Sequence, residues 1–321
     1  MLPGNEDGKG KPPDVKEIVL HMHPIVMEIA QPGSKIPILD RIDNPEEYLG
    51  PAEFDVLVNF GGYFRNHDMW NSRVPPDRQW TPTSFPPPPD GITILEFSDP
   101  LVKGAVERLS MIARSDFYQD QSLCEDYYRQ NEFIFESIAS HRHFSRKERN
   151  DVKFLGLVRA GVVAGQMLGF EVADQILVQT KRLHLKGQIE GDIAIGITPL
   201  DAGRLREIDG KHLIIGDPAG ATLSSMAGNL HYLVGHLGIR PKTVNIWHTV
   251  VSHRGAELGL SFLQSLGLKG EIVAGGYAPG LNRRYYLENA EGNPSVRDAG
   301  NGLDRFLPES LRLLNTSTKS S

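Results

Sequence analysis

The stretch richest in possible chemistry is His-Leu-Ile-Ile-Gly-Asp-Pro-Ala-Gly-Ala-Thr-Leu-Ser-Ser, residues 212–225. An apolar strand delivers Asp217 to a turn rich in Ala, Gly, Thr and Ser, and a helix starts at its far end. Such a turn suits a phosphate. Small residues let the backbone approach, hydroxyls donate, and the N–H groups opening a helix point at the anion. In open α/β sheets the ligand crevice lies at the C-terminal ends of strands, where this turn falls. The same residues also read as an ordinary βα loop with Ser224 as helix cap, and physics alone leaves the two readings level. Two further segments bear on the choice. Leu155-Gly-Leu-Val-Arg-Ala-Gly161 ends an earlier strand with Arg159 and a tight small-residue turn. Pro294-Ser-Val-Arg-Asp-Ala-Gly-Asn-Gly-Leu-Asp-Arg305 follows the last expected strand.

Other chemistry-bearing residues carry less. His21-Met-His23 and His141-Arg-His143 share a face only on a strand, and no Cys or acidic cluster accompanies them, so no metal site is expected there. His231 and His236 read as packing or surface residues. Ser252-His253 invites a hydrolase reading, but a Gly-x-Ser-x-Gly elbow is absent from the chain. Gly-x-Gly-x-x-Gly and the Walker lysine motif are absent too. Tyr127, Tyr128 and Phe133 to Phe135 read as helix core rather than a base-stacking platform.

These segments need elements to hold them. Val102, Val106, Leu109 and Ala113 recur at helical spacing, and the pattern predicts helix over 97–140. From there the chain alternates: strand 152–158, helix 162–170, strand 175–180, then a polar excursion through Gly210. Strand 212–216 follows, then a helix from about Ser224 with Met226, Leu230, Leu233, Val234 and Leu237 in one stripe. Strand 243–251, helix 255–266 and strand 271–274 complete the series. Strands separated by helices of this length imply βαβ units and a largely parallel sheet. Upstream, residues 1–13 read as disordered. Ile18-Val19-Leu20 and Phe54 to Val58 read as short strands. Seven prolines between Val74 and Asp90 read as an extended connector. The organisation expected is an N-terminal extension over 1–92, a catalytic domain over 93–310 and a loose tail over 311–321.

The chain has 321 residues, 40% of them hydrophobic, with a net charge of −6. That balance supplies no bulk attraction to a phosphate backbone or an anionic membrane, so nucleic acid is a poor first guess as partner. The single cysteine, Cys124, excludes an intrachain disulfide. The longest apolar stretch, near 154–170, contains Arg159 and several glycines and is too short to span a bilayer. A soluble, cytoplasmic protein is expected.

Taken in order, the three segments resemble the uracil phosphoribosyltransferase family over about residues 97–307. The family's donor loop reads Asp-Pro-Met-Leu-Ala-Thr-Gly-Gly-Ser, matched at Asp217, Pro218, Ala221, Thr222 and Ser225. Its Leu-Arg-Ala-Gly loop is matched at Arg159, Ala160 and Gly161. Its C-terminal Pro-Gly-Leu-Gly-Asp-Ala-Gly-Asp is matched at Pro294, Asp298, Ala299 and Gly300. Asp99-Pro-Leu-Val-Lys103 and Gly280-Leu-Asn282 also look like family segments. The resemblance implies an α/β, parallel-sheet phosphoribosyltransferase-type (Rossmann-like) core with a hood. It implies a homodimer and transfer of 5-phosphoribosyl from phosphoribosyl pyrophosphate (PRPP), with Mg²⁺, to a ring nitrogen. Asp217 would hold the ribose hydroxyls. Pro218, Ala219, Gly220, Ala221, Thr222, Leu223, Ser224 and Ser225 would cradle the 5-phosphate. Arg159, Ala160 and Gly161, with Lys181 or Arg182 in the basic hood run after the second strand, would hold pyrophosphate. Asp298 would reach the donor directly or through Mg²⁺ carried mostly by PRPP.

The departures from the family are informative. Leu223 and Ser224 replace Gly-Gly, adding bulk where the loop must be tight. The apolar residues that present backbone to uracil become Glu291, Gly292 and Asn293, and Arg297 stands where a glycine would be. An acceptor other than uracil, more polar or larger and belonging to specialised metabolism, is therefore expected. It would be contacted by Glu291, Asn293, Val296, Arg297 and Ala299. Plain uracil salvage and a non-catalytic nucleotide sensor on the same fold remain the alternatives.

Overall fold

The computed structural model describes residues 62–65, 87–114, 116–144, 151–184, 193–200, 202–221, 223–281, 287–288, 296 and 302–313. Its strands are β1 (Gly62–Arg65), β2 (Ile92–Ile94), β3 (Val152–Val158), β4 (Ile176–His184), β5 (Ile193–Pro199), β6 (His212–Gly220), β7 (Thr243–Ser252), β8 (Gly270–Ala278), β9 (Gly280–Leu281) and β10 (Leu287–Glu288). Its helices are α1 (Pro100–Ala113), α2 (Gln121–His141), α3 (Ala160–Met167), α4 (Ser224–His231), α5 (His253–Ser265) and α6 (Glu309–Leu313). The main sheet runs β1-β5-β4-β3-β6-β7-β8-β2, and β9 and β10 pair separately. Every pairing from β4 across to β2 is parallel, whereas β5 and β1 are antiparallel additions. The α/β parallel sheet expected from the alternating pattern is therefore present.

Both faces of the sheet are covered, which is why its strands read as near-continuous apolar runs. On one face Phe154, Val158, Ile214, Trp247 and Val273 pack with α1, α2 and α3. On the other, Leu155, Ile215, Val244, Ile246 and Ile272 meet Met226, Ala227 and Leu230 of α4 and Phe262 and Leu263 of α5.

Three differences from the sequence expectation bear on the site. The helix expected over 97–140 is two helices. Asp99 caps α1 by accepting from the backbone N–H groups of Leu101 and Val102, and Asp120 caps α2 by accepting from Leu123 N–H. Each Asp satisfies donors that the first helical turn leaves open, so the chain restarts a helix at the second Asp. Second, β4 runs to His184, which puts Lys181 and Arg182 on the strand rather than after it. They pair with Gly196 and Ile195 of β5, and that antiparallel partner, hidden in the polar excursion, is what prolongs the strand. Third, β6 reaches Gly220, four residues beyond the expected end, because Ala219 and Gly220 pair with Val250 and Val251. The predicted strands at 18–20 and 54–58 lie outside the described residues. Within the expected extension, β1 pairs with β5, and β2, which spans its expected boundary, pairs with β8.

Candidate functional site

The C-terminal ends of β3, β6, β7, β8 and β2 share one edge of the sheet. Arg159 and Asp217 are 58 positions apart in sequence, yet β3 and β6 are direct neighbours. Their register sets Leu155 opposite Ile215, so Arg159, four residues beyond that pair, and Asp217, two residues beyond it, leave the ladder on neighbouring strands at the same edge. Gly161 makes this junction possible: a Cβ there would sit 2.9 Å from the carbonyl oxygen of Gly216, so α3 starts directly against the β6 backbone. The Arg159 guanidinium is paired with the Asp304 carboxylate, each about one-third exposed. That contact ties the C-terminal segment to the end of β3.

Asp217 is half-buried, and its Oδ1 accepts the Ala219 N–H at 3.2 Å. Its backbone carbonyl accepts the Nδ1–H of His248 at 2.6 Å, which fixes that ring as the Nδ1-protonated tautomer. His248 is buried on β7, and desolvation pushes its pKa down to about 4, so it stays neutral. Beyond Asp217 the carbonyls of Gly220 and Ala221 turn against the start of α5, where a Cβ on Gly255 would lie 2.7 and 2.5 Å from them. Ser252 joins the two elements: its Oγ–H donates to the Ala221 carbonyl and its Oγ accepts Gly255 N–H at 2.7 Å.

Leu223 answers the question its bulk raised. It is the N-cap of α4 with φ of 54°, a left-handed backbone that glycine favours. Its side chain is buried with Met226 and Ile272 and approaches Gly259. The turn thus keeps a glycine-like path while the extra carbons go into the core, away from the ligand edge. Ser224 is then the first helical residue rather than the cap.

Farther along the edge lies a second polar group. His253 opens α5 and is 8% exposed. Its Nδ1 is 2.5 Å from the Tyr277 hydroxyl and its Nε2 3.3 Å from Glu257 Oε1. Tyr277 N–H donates to Glu96 Oε1 at 2.7 Å, and the Phe97 ring leans on the Tyr277 ring. Burial raises the pKa of Glu96 and Tyr277 and lowers that of His253.

Of the residues singled out from sequence, Arg159, Ala160 and Gly161 lie at the β3–α3 junction, and Asp217, Pro218, Ala219, Gly220, Ala221, Leu223 and Ser225 lie along the end of neighbouring β6 and the start of α4. Thr222, Glu291, Asn293, Arg297, Asp298 and Ala299 lie outside the described residues. Val296 is 1% exposed and its side chain belongs to the core, which leaves only its backbone to a ligand. Asp304, His248, Tyr277 and Glu96 were not singled out, and Ser252-His253 was weighed only as a hydrolase pair. Among the described residues no group of three His, Cys, Asp or Glu is placed to hold a metal ion. Among them, too, no helix is long and apolar enough to cross a membrane.

No family model and no curated protein matches the chain. Among solved structures it is similar to the AQ2163 protein of Aquifex aeolicus, at 21% identity over 66% of this chain and 97% of that one, with a TM-score of 0.44. It is also similar to the adenine phosphoribosyltransferase of Trypanosoma brucei in complex with AMP, pyrophosphate and ribose-5-phosphate. There the identity is 12% over 57% and 84% of the two chains, with a TM-score of 0.39. The adenine phosphoribosyltransferase of Thermoanaerobacter pseudethanolicus gives 14% identity over 54% and 99%, with a TM-score of 0.35.

Proposed function

We propose that the chain is a phosphoribosyltransferase that moves the 5-phosphoribosyl group of PRPP to a ring nitrogen of an acceptor other than uracil, releasing pyrophosphate. The observation that carries this reading is that neighbouring parallel strands bring Arg159, the N-cap of α3, beside the C-terminal part of β6, where Asp217 precedes a small-residue turn into α4. Two anion-binding turns one strand apart suit a substrate with phosphate groups on either side of a ribose. The segment from Ala219 to Ser225, from the end of β6 to the start of α4, would take the 5-phosphate. Arg159 and the first turn of α3 would take the pyrophosphate, where helix N–H groups favour an anion.

Asp217 is an acceptor poised between them, suited to the ribose hydroxyls and to the positive charge that builds at the anomeric carbon as the pyrophosphate departs. Such preorganised charge is worth more in a partly dehydrated edge than in water. Mg²⁺ would arrive on the PRPP phosphates and take one or two protein carboxylates, as this cation commonly does. It would neutralise the leaving group. Lys181 and Arg182, on β4 beside β3, and Asp298 on the C-terminal loop remain part of the proposed donor site. Glu291, Asn293, Arg297 and Ala299 remain part of the proposed acceptor surface. A homodimer is proposed with them.

The test is pyrophosphate release from PRPP and Mg²⁺ against uracil, purines and a panel of polar heterocycles. Turnover with a non-uracil acceptor, lost in both Asp217→Asn and Arg159→Ala, is expected. Full activity in either variant would overturn the assigned roles, and uracil as the best acceptor would restore the salvage reading.

A further inference from the structure

The polar group at the far end of the edge has a defined distance from the phosphate turn. Gly220 pairs with Val251, and Val251 pairs with Tyr277. Two strand spacings therefore separate Tyr277 from the turn, about 10 Å, within the span of one nucleotide-sized ligand. Its contacts fit one proton arrangement: His253 donates from Nε2–H to the Glu257 carboxylate, Nδ1 then accepts, and the Tyr277 O–H donates. This is a hydroxyl, an imidazole and a carboxylate in series, the arrangement that lets a hydroxyl exchange protons with a bound group. Burial keeps His253 neutral near pH 7, leaving Nδ1 able to accept a proton. Beside it, Phe97 is 65% exposed, a flat apolar ring left open at the rim.

We propose that Tyr277, backed by His253 and Glu257, takes the proton released by the acceptor nitrogen, and that the acceptor is a planar heterocycle lying against Phe97 and Tyr277. This rests on the phosphoribosyl-transfer reading above. In the step, the bond from acceptor nitrogen to the anomeric carbon forms. The bond from that carbon to the pyrophosphate oxygen breaks, with its electron pair leaving on the oxygen. The acceptor N–H proton passes to the Tyr277 oxygen while the tyrosine's own proton passes to His253 Nδ1. The imidazolium is held by Glu257 until product leaves and the proton returns to water. Tyr277 is the catalytic residue; His253 and Glu257 position and poise it. The charged and titratable groups around the relay are Glu257 from α5, Glu96 at the Tyr277 amide, and Lys103 and Glu107 of α1 acting on Glu96.

The experiment measures pyrophosphate release by the full chain from Mg²⁺ and PRPP, with uracil, adenine, hypoxanthine, nicotinate and water each serving as acceptor. Calorimetry supplies PRPP affinity in parallel. Tyr277→Phe and His253→Gln are expected to lower kcat with the best acceptor by about 10²–10³-fold, with PRPP affinity within threefold of wild type. His253→Gln should erase the acidic limb of the kcat–pH profile, and Glu257→Gln should move that limb to lower pH. An independent readout is the ¹⁵N spectrum of histidine-labelled protein, which should show His253 neutral with its proton on Nε2. A proton on Nδ1 would overturn the relay. So would Tyr277→Phe turning over within threefold of wild type with an unchanged pH profile while Asp217→Asn is inactive, and in that case the transfer reading would stand. A wild-type protein releasing no pyrophosphate with any acceptor would overturn the transfer reading itself, and this proposal with it.

Discussion

Along the N-terminal ends of the strands, charged side chains meet in surface pairs: Lys153 with Glu207 at 2.6 Å, Lys211 with Asp151 at 2.7 Å, and Arg142 with Glu271. The lysine partners hold Glu207 and Asp151 below the usual carboxylate range, so these groups keep the charge they carry in water. Along the C-terminal ends, burial drives the titratable groups the other way. Glu96 is pushed up, Tyr277 is pushed up, and His248 and His253 are pushed down. The same strands carry both edges, so the contrast comes from what covers each end. Lysines and arginines in solvent stabilise charge at one edge, while turns and helix starts desolvate it at the other. Groups held away from their preferred charge state are the ones poised for proton transfer.

The largest effect that would sharpen this contrast is at Asp217. Asp217→Asn should lower pyrophosphate release by about 10³-fold, and Arg159→Ala by about 10²-fold. Melting temperatures should stay near wild type, because both side chains sit at a partly exposed rim.

His248 comes next, and its effect is on stability. Its folded pKa of about 4 lies below the ordinary 6.5, so the fold favours the neutral ring. The contribution is complete above pH 6.5 and drains away as pH falls toward 4. It totals on the order of 3 kcal/mol, of which about 2 kcal/mol should be gone by pH 5. Urea unfolding at pH 7.5 and pH 5 should show that loss in wild type. His248→Asn, which keeps a donor for the Asp217 carbonyl, should show a difference smaller by about that amount. Equal pH slopes in the two proteins would mean that the ring is not buried neutral.

A smaller change is expected at Asp304, whose carboxylate occupies the guanidinium that pyrophosphate would need. Asp304→Asn should tighten inorganic pyrophosphate binding by roughly 2–5-fold, the scale of a partly exposed ion pair. Looser binding would mean that Asp304 orders the arginine rather than competing for it. Smallest of all is the opposite edge. Lys153→Ala should cost about 0.2–1 kcal/mol in urea unfolding and leave pyrophosphate release unchanged.

The alternation of Phe154 to Val158, Leu213 to Ile215 and Val244 to Ile246 with helical stripes made the parallel sheet legible. Strands buried on both faces announce themselves as apolar runs. Arg159 was legible as the end of a strand, Asp217 was placed in a turn but lies on β6, and their adjacency was not legible. The chain passes through β4 and β5 on one side of β3 before β6 returns to the other. No local pattern encodes that order. The fate of Leu223 was also unreadable, since bulk alone does not say which way a side chain turns. His253 was visible in the sequence, where it was weighed only as half of a hydrolase pair and set aside. Glu257 meets it from the next turn of the same helix, whereas Tyr277 comes from the neighbouring strand and is brought to it by the β7–β8 register.

Calorimetric titration of Mg²⁺-loaded PRPP into wild type, Arg159→Ala and Asp217→Asn tests the central claim most directly. Saturable one-site binding in wild type, weakened at least tenfold in Arg159→Ala, is the predicted result. No binding in wild type, or equal affinity in all three proteins, would contradict a PRPP site between β3 and β6.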